Sequence, residues 1–327
     1  MDLLAFAFIQ RALLASALVG VSAPTIGTYI VQRRLSLLGD GLGHVAIAGV
    51  GLALMTGTAP LPWAVAICMV GAILIEALRQ SGRATGDVGL AVLFYGGLAA
   101  GVLMASVAGQ GAGGLSSYLF GSLNTISVSD LWVVGGLTIL ILVVALGLSP
   151  QLFALSADED FAKTLGLPVR VYNYVIVVLA AITVTTAMRT VGLLLVSALM
   201  VIPVAAAQNI FRGFWRGMWG AMGIGLIASV GGYLASIYAN LAPGAMIVLI
   251  TIAFFIVSWP LAGLLHRHWH RSQDATDPLP AVHEPVGNHA HVHGPGCGHD
   301  MVHHGDHIDY IHSGELHSPH QDHYDQH

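Results

Sequence analysis

The sequence predicts an all-α, polytopic transmembrane helical bundle of eight or nine spans, followed by a disordered, histidine-rich C-terminal tail. Two features carry that prediction: 55% of the residues are hydrophobic against 9% charged, and sixteen of the seventeen histidines lie beyond Leu265. With a mean hydropathy of +0.76, the stretch up to about residue 265 is too apolar for a soluble domain. Backbone polar groups in hydrocarbon must be satisfied within the segment, and the apolar runs are far longer than the roughly ten residues of a barrel strand, so the spans are helices. Residues 1–271 are expected to form the membrane domain and residues 272–327 the tail.

Taken in order, the first apolar run has no basic leader and no small-residue cleavage site, which marks it as a retained span. With about twenty residues needed per crossing, spans fall near 10–32, 42–57, 61–79, 87–108, 128–149, 171–188, 191–209, 215–238 and 243–265. Glycine recurs at packing distances, as in Gly97 with Gly101, Gly217 with Gly220 and Gly223 with Gly225, letting helix backbones approach. Arg33, Arg34, Arg79, Arg83, Lys163, Arg170, Arg212, Arg216, Arg267 and Arg271 sort onto one set of loops, whereas the loops near residues 56–61, 109–127 and 239–243 carry no Lys or Arg. The positive-inside bias then places the 150–170 loop and the tail in the cytoplasm of a cell inner (plasma) membrane protein. Arg189 does not fit this sorting. Two cysteines cannot build a disulfide framework; Cys68, in an apolar run, reads as packing. Residues 1–265 balance ten Lys/Arg against eight Asp/Glu, and the tail has two against nine, so no basic face exists for nucleic acid.

Three segments carry more than packing. In Gly39-Asp40-Gly41-Leu42-Gly43-His44 a carboxylate and an imidazole stand four apart at the start of a span. On a helix they share a face, so both could bind one divalent ion, or Asp40 could orient the His44 ring. The alternative is that Asp40 caps the helix and His44 is an interior histidine. An ionisable pair inside a span is costly and commonly functional. The second segment, residues 156–168, holds the membrane domain's densest charge and reads as a short surface helix with an acidic first turn, stopped by Gly166 and Pro168. The third, residues 191–207, contains Pro203 inside a span, which frees a carbonyl and bends the helix. Asp87 reads as a helix cap, and Glu76 with Arg79 as a snorkelling pair.

At these places the chain resembles the permease family of zinc and manganese uptake ABC transporters. Gly39 to Gly51 is similar to that family's Asp-x-x-Ser-His-Ala-x-x-Pro-Gly signature, and residues 191–207 to its Val-Gly-x-Leu-Leu-Val-x-Ala-Leu-Leu-x-x-Pro-Ala-Ala signature. Thr85-Gly86-Asp87-Val88-Gly89 and Tyr118-Leu119-Phe120-Gly121-Ser122 are similar to two further family motifs, and the likeness covers roughly residues 5–265. Gly43 and Ala48 depart from the usual Ser and Pro. The resemblance implies a homodimeric pore, a cytoplasmic ATPase under each subunit and an extracytoplasmic metal-binding protein. It assigns Asp40 and His44 to the ion path, and Asp158, Glu159, Asp160, Ala162, Lys163 and Gly166 to the loop that contacts the ATPase. Independently, the sequence has no Gly-x-x-x-x-Gly-Lys-[Ser/Thr] loop and one lysine, Lys163, so no nucleotide is expected on this chain and it is not itself an enzyme.

The tail lacks hydrophobic periodicity and is expected to be disordered without ligand. His289, His291, His293, Cys297, His299, His303, His304, His307 and His312 offer closely spaced ligands. Imidazole and thiolate suit Zn²⁺ better than manganese, which points to zinc as both cargo and tail ligand, with manganese or iron as other cargoes. Two other classes fit parts of the sequence. A gradient-driven carrier would need several intramembrane carboxylate/histidine pairs, and one is visible; a membrane-anchored metal sensor or store would not need so many spans.

Overall fold

The computed structural model describes residues 6–82, 86–109, 113–121, 123, 126–274, 284–285, 298–304, 307–312, 315–320 and 323–326. Their helices are α1 (Ala7–Gln32), α2 (Leu38–Thr56), α3 (Pro60–Gln80), α4 (Gly86–Val107), α5 (Gly113–Phe120), α6 (Val128–Gly147), α7 (Ser149–Ala157), α8 (Glu159–Thr164), α9 (Val169–Thr190), α10 (Leu193–Ile210), α11 (Phe214–Ala239) and α12 (Pro243–Asp274). Eight of them are long and apolar enough to cross a membrane. α10, interrupted by Pro203, is the shorter ninth apolar helix among the described residues.

Contacts at the helix ends show that α10 also runs from one side of the bundle to the other. Arg33, after α1, is paired with Glu159 at the start of α8, and the Phe214 ring at the start of α11 lies 5.6 Å from Tyr29 near the end of α1. These groups share one end. At the other end Arg189, closing α9, meets Asp130 in the first turn of α6, and the backbone at Gly192 abuts that at Gly121. α10 leaves Gly192 and arrives next to α11, so the nine apolar helices alternate in direction. This matches the upper of the two span counts, and Arg79, Lys163 and Arg170 line one pocket with Glu159 at the Arg33 end.

The inner layer is α1, α2 and α9, with 72%, 78% and 72% of their apolar windows buried, whereas α4, α6 and α12 bury 17%, 22% and 28%. The latter three present the apolar surface expected toward lipid. Close approach explains several glycines: a Cβ on Gly97 of α4 would lie 2.8 Å from the His44 carbonyl oxygen, and Gly101 and Gly225 are similarly pressed against α2 and α1. Gly217 and Gly223 are not, since nothing lies within 4 Å of the position their Cβ would take. Cys68 is buried and its thiol donates to the Leu42 carbonyl oxygen at 3.3 Å, as packing requires.

The chain divides into compact units at Gly263/Leu264. In the second unit the described residues beyond α12 form short antiparallel strands, β1 (Glu284–Pro285), β2 (Met301–His304), β3 (His307–His312), β4 (Glu315–His320) and β5 (His323–Gln326), in the order β1-β5-β4-β3-β2. Composition alone predicts disorder here. Two residues of sequence separate β2 from β3, β3 from β4 and β4 from β5, a spacing that suits antiparallel neighbours. Among its described side chains only Tyr310 and His317 are buried, so backbone pairing rather than a core holds the meander.

Candidate functional site

α2 begins at Leu38, earlier than hydropathy places it, and its N-cap is Leu37 with no side-chain capping bond. Asp40 is therefore not the cap. It sits in the first helical turn, where a negative charge is favoured by the helix dipole. Four residues on, the His44 ring is bonded through Nδ1 to the Asp40 main-chain oxygen at 2.8 Å. The carboxylate thus does not orient the ring. A carbonyl oxygen only accepts, so Nδ1 carries the proton and the Nε2 lone pair is left available for a metal or a proton. His44 is 9% exposed, and its ring stacks 3.8 Å, centroid to centroid, from Phe94 of α4.

The glycines around this pair bring the signature segments together. A Cβ on Gly39 would lie 2.9 Å from Ser197 Oγ, and one on Gly43 would collide with Leu193, so α10 is seated on the glycine face of α2. The Ser197 hydroxyl is buried with no hydrogen-bond partner, beside the residue that precedes Asp40. At the N-terminal end of α10, beside Leu193, Gly121 and Gly192 pack backbone against backbone with φ of 77° and 95°. The α2, α5 and α10 motifs, separate in sequence, thus form one continuous patch. Ser197 and Phe94 were not singled out by spacing: a serine and a phenylalanine in apolar spans carry no signal until the packing partner is known. Thr85 and the Asp87 side chain lie outside what the structure describes.

Among the described residues, no group of three His, Cys, Asp or Glu side chains is gathered tightly enough to hold an ion. Asp40 and His44 place a carboxylate and an imidazole one helical turn apart on α2.

The charged loop folds as expected. Asp158 caps α8, accepting from Asp160 N at 2.9 Å and Phe161 N at 3.0 Å; Glu159 and Asp160 form the acidic first turn; and Gly166 ends the helix at φ 76°. Lys163 pairs with Asp160 at 2.9 Å, and that hydrogen bond raises its pKa. Ala162 is fully buried, so it seats α8 on the bundle rather than facing outward. Facing outward instead are Phe161 and Leu165, 56% and 57% exposed on a helix otherwise rich in charge, and both were missed because an apolar residue in an apolar chain is unremarkable by sequence. Behind α8, Glu159 pairs with Arg33 at 3.0 Å. Burial and the nearby Arg79 lower the Arg33 pKa, while Glu159 and Glu76 act against that shift. Glu76 is bonded to Arg79 and Gln80, but at 2% side-chain exposure it is a buried acceptor rather than a snorkelling one.

In the tail, His289, His291, His293 and Cys297 lie outside the described residues. His299 precedes β2; His303 and His304 are in β2, His307 and His312 in β3. By register His304 stands opposite His307, His320 opposite His323, and His312 opposite Glu315.

The ABC 3 transport family matches residues 5–262, and the chain belongs to it. Among its relatives, the manganese import system permease protein ScaB of Streptococcus parasanguinis is 30% identical over 265 residues, covering 81% of this chain and 94% of that protein. The manganese transport system membrane protein MntC of Halalkalibacterium halodurans is 31% identical over 272 residues, covering 82% and 93%. The solved structure of PsaBC from Streptococcus pneumoniae in complex with Fab superposes with a TM-score of 0.73 at 29% identity, over 81% of this chain and 97% of that one. The chain is thus a multi-pass membrane permease subunit of that family. The family match stops before the histidine-rich tail.

Proposed function

We propose that this chain is the permease of an ATP-driven importer for a divalent transition metal, in a cell inner (plasma) membrane, with the Arg33 end in the cytoplasm. The observation that carries the reading is the Asp40/His44 pair on buried α2: a carboxylate and an imidazole whose Nε2 is left available, inside a bundle where ionisable groups are costly. One oxygen and one nitrogen donor do not complete a tetrahedral or octahedral shell. A homodimer presenting the pair twice would supply two of each, which favours the two-subunit pore. The exposed Phe161 and Leu165 on α8 suit docking of a separate ATPase, and an extracytoplasmic metal-binding protein would load the Arg189 end. The names of the relatives support metal import by the same architecture.

For the cargo, the imidazole-rich tail favours zinc, with the paired positions His304/His307 and His320/His323 placing ligands across neighbouring strands for weak buffering or sensing of the ion. The manganese-named relatives favour manganese. Uptake of labelled zinc in vesicles, challenged by excess manganese and the reverse, separates them: inhibition of zinc uptake only by zinc supports the first, and manganese uptake untouched by zinc supports the second.

A further inference from the structure

One buried cation at the Arg33 end belongs neither to the Asp40/His44 pair on α2 nor to the outer face of α8. Arg33 directly follows α1, and its side chain is 7% exposed. Nη2 donates to Glu159 Oε2 at 3.0 Å, and Nη1 donates to Asn173 Oδ1 on α9. Asn173 is itself 3% exposed. A single planar guanidinium therefore clamps the first residue of α8 and the second turn of α9 to the end of α1. A fork of fixed geometry holds both acceptors in set directions, as a flexible ammonium would not.

The connection from Arg33 to α2 is short and bonded throughout. Arg34 takes a left-handed φ of 58°, Leu35 N donates to the Ile30 carbonyl oxygen, and Leu38 N donates to the Leu35 carbonyl oxygen. α2 then begins, with Asp40 in its first turn. A connection this tight has little slack in which a displacement of Arg33 could be absorbed. Separating a buried guanidinium from its carboxylate would leave an uncompensated charge, so the α1–α2 corner and α8 move together more readily than apart.

We propose that Arg33 is the positioning residue that passes displacement of α8 to the start of α2, and through it to Asp40 and His44. This rests on the reading of α8 as the segment on which the ATPase docks. Motion of α8 enters at Glu159, crosses the guanidinium and turns the first turn of α2, while Asn173 keeps α9 as the fixed side.

The test is to reconstitute the permease with its ATPase and to measure ATP hydrolysis and metal uptake in the same proteoliposomes. Arg33→Gln is expected to retain the complex and its hydrolysis while metal moved per ATP falls by about tenfold, within the range that a single coupling network carries. Arg33→Lys should recover part of that ratio. Glu159→Gln, altered at the more exposed partner, should lower the ratio as well and covers the case in which Arg33→Gln fails to fold. An unchanged ratio in both Arg33→Gln and Glu159→Gln overturns the proposal. So does a loss of uptake that tracks loss of folded complex equally in the Gln and Lys variants. Failure of the docking reading is seen separately: Phe161→Ser with Leu165→Ser should release the ATPase on co-purification, and retention of the ATPase would overturn that reading whatever Arg33 does.

Discussion

Arg189 donates from Nη2 to Asp130 Oδ2 at 3.0 Å, closing an ion pair between the end of α9 and the first turn of α6. The pair accounts for Arg189, which the loop charges do not sort. Asp130 also accepts from the Ser127 main-chain N–H and returns its own N–H to Ser127 Oγ, and Tyr118 of α5 stands under the guanidinium, with Cζ 5.8 Å from its ring centre. A positive charge is tolerated at this end because three elements converge to neutralise and cover it.

Arg189→Leu is accordingly expected to destabilise the bundle by about 2 kcal/mol, the scale of a charge-assisted hydrogen bond lost with its partner left behind. Asp130→Asn, which keeps an acceptor for Ser127, should lose less. Thermal unfolding in detergent checks the order.

Asp40→Asn preserves the main-chain oxygen that holds the His44 ring and removes only the charge. Uptake should fall by tenfold or more, on the order of 1.4 kcal/mol, with membrane abundance unchanged. His44→Gln should do the same. Radiotracer uptake beside quantitative immunoblotting checks both; full uptake in the two variants would return Asp40 and His44 to a purely structural role.

Two glycines make a matched pair. Gly192→Ala places a Cβ into the Phe120–Gly121 backbone at a φ of 95°, which should destabilise by about 2 kcal/mol or more. Gly217→Ala on α11 meets open space and should be neutral or gain up to about 1 kcal/mol of helix propensity. Comparable melting of the two would contradict the backbone contact between α5 and α10.

The tail's histidines must be neutral to ligate, so protons compete with the metal and zinc affinity should decline as the pH falls. Titration calorimetry of the full chain against a chain ending at residue 271 should show several zinc sites lost with the tail at neutral pH. Equal zinc uptake by both would remove the tail from metal binding.

Most of the architecture was legible because lipid permits few solutions. Hydropathy located every apolar span, and loop arginines gave their alternation. Helix starts were less so: hydropathy begins the second span near residue 42, yet α2 runs from Leu38, and its Gly39, Gly43 and Gly49 are where α10 and α3 press against it. Asp40 and His44 were visible as the one carboxylate/histidine pair at helical spacing in an apolar span, but the bond between them runs through the backbone, which spacing does not distinguish from a carboxylate contact. Ala162 belongs to the loop that the resemblance assigns to the ATPase contact, and that its side chain is buried is not legible because sequence does not give the face of a six-residue helix. Ser197, Phe94 and the Arg33 clamp depend on tertiary neighbours tens to more than a hundred residues away.

The most direct test of the account is metal uptake into vesicles holding this permease with and without its ATPase. ATP-dependent uptake that requires the ATPase, and that Asp40→Asn and His44→Gln both reduce, is the expected result. Uptake by the permease alone, driven by an ion gradient and indifferent to ATP, would contradict it.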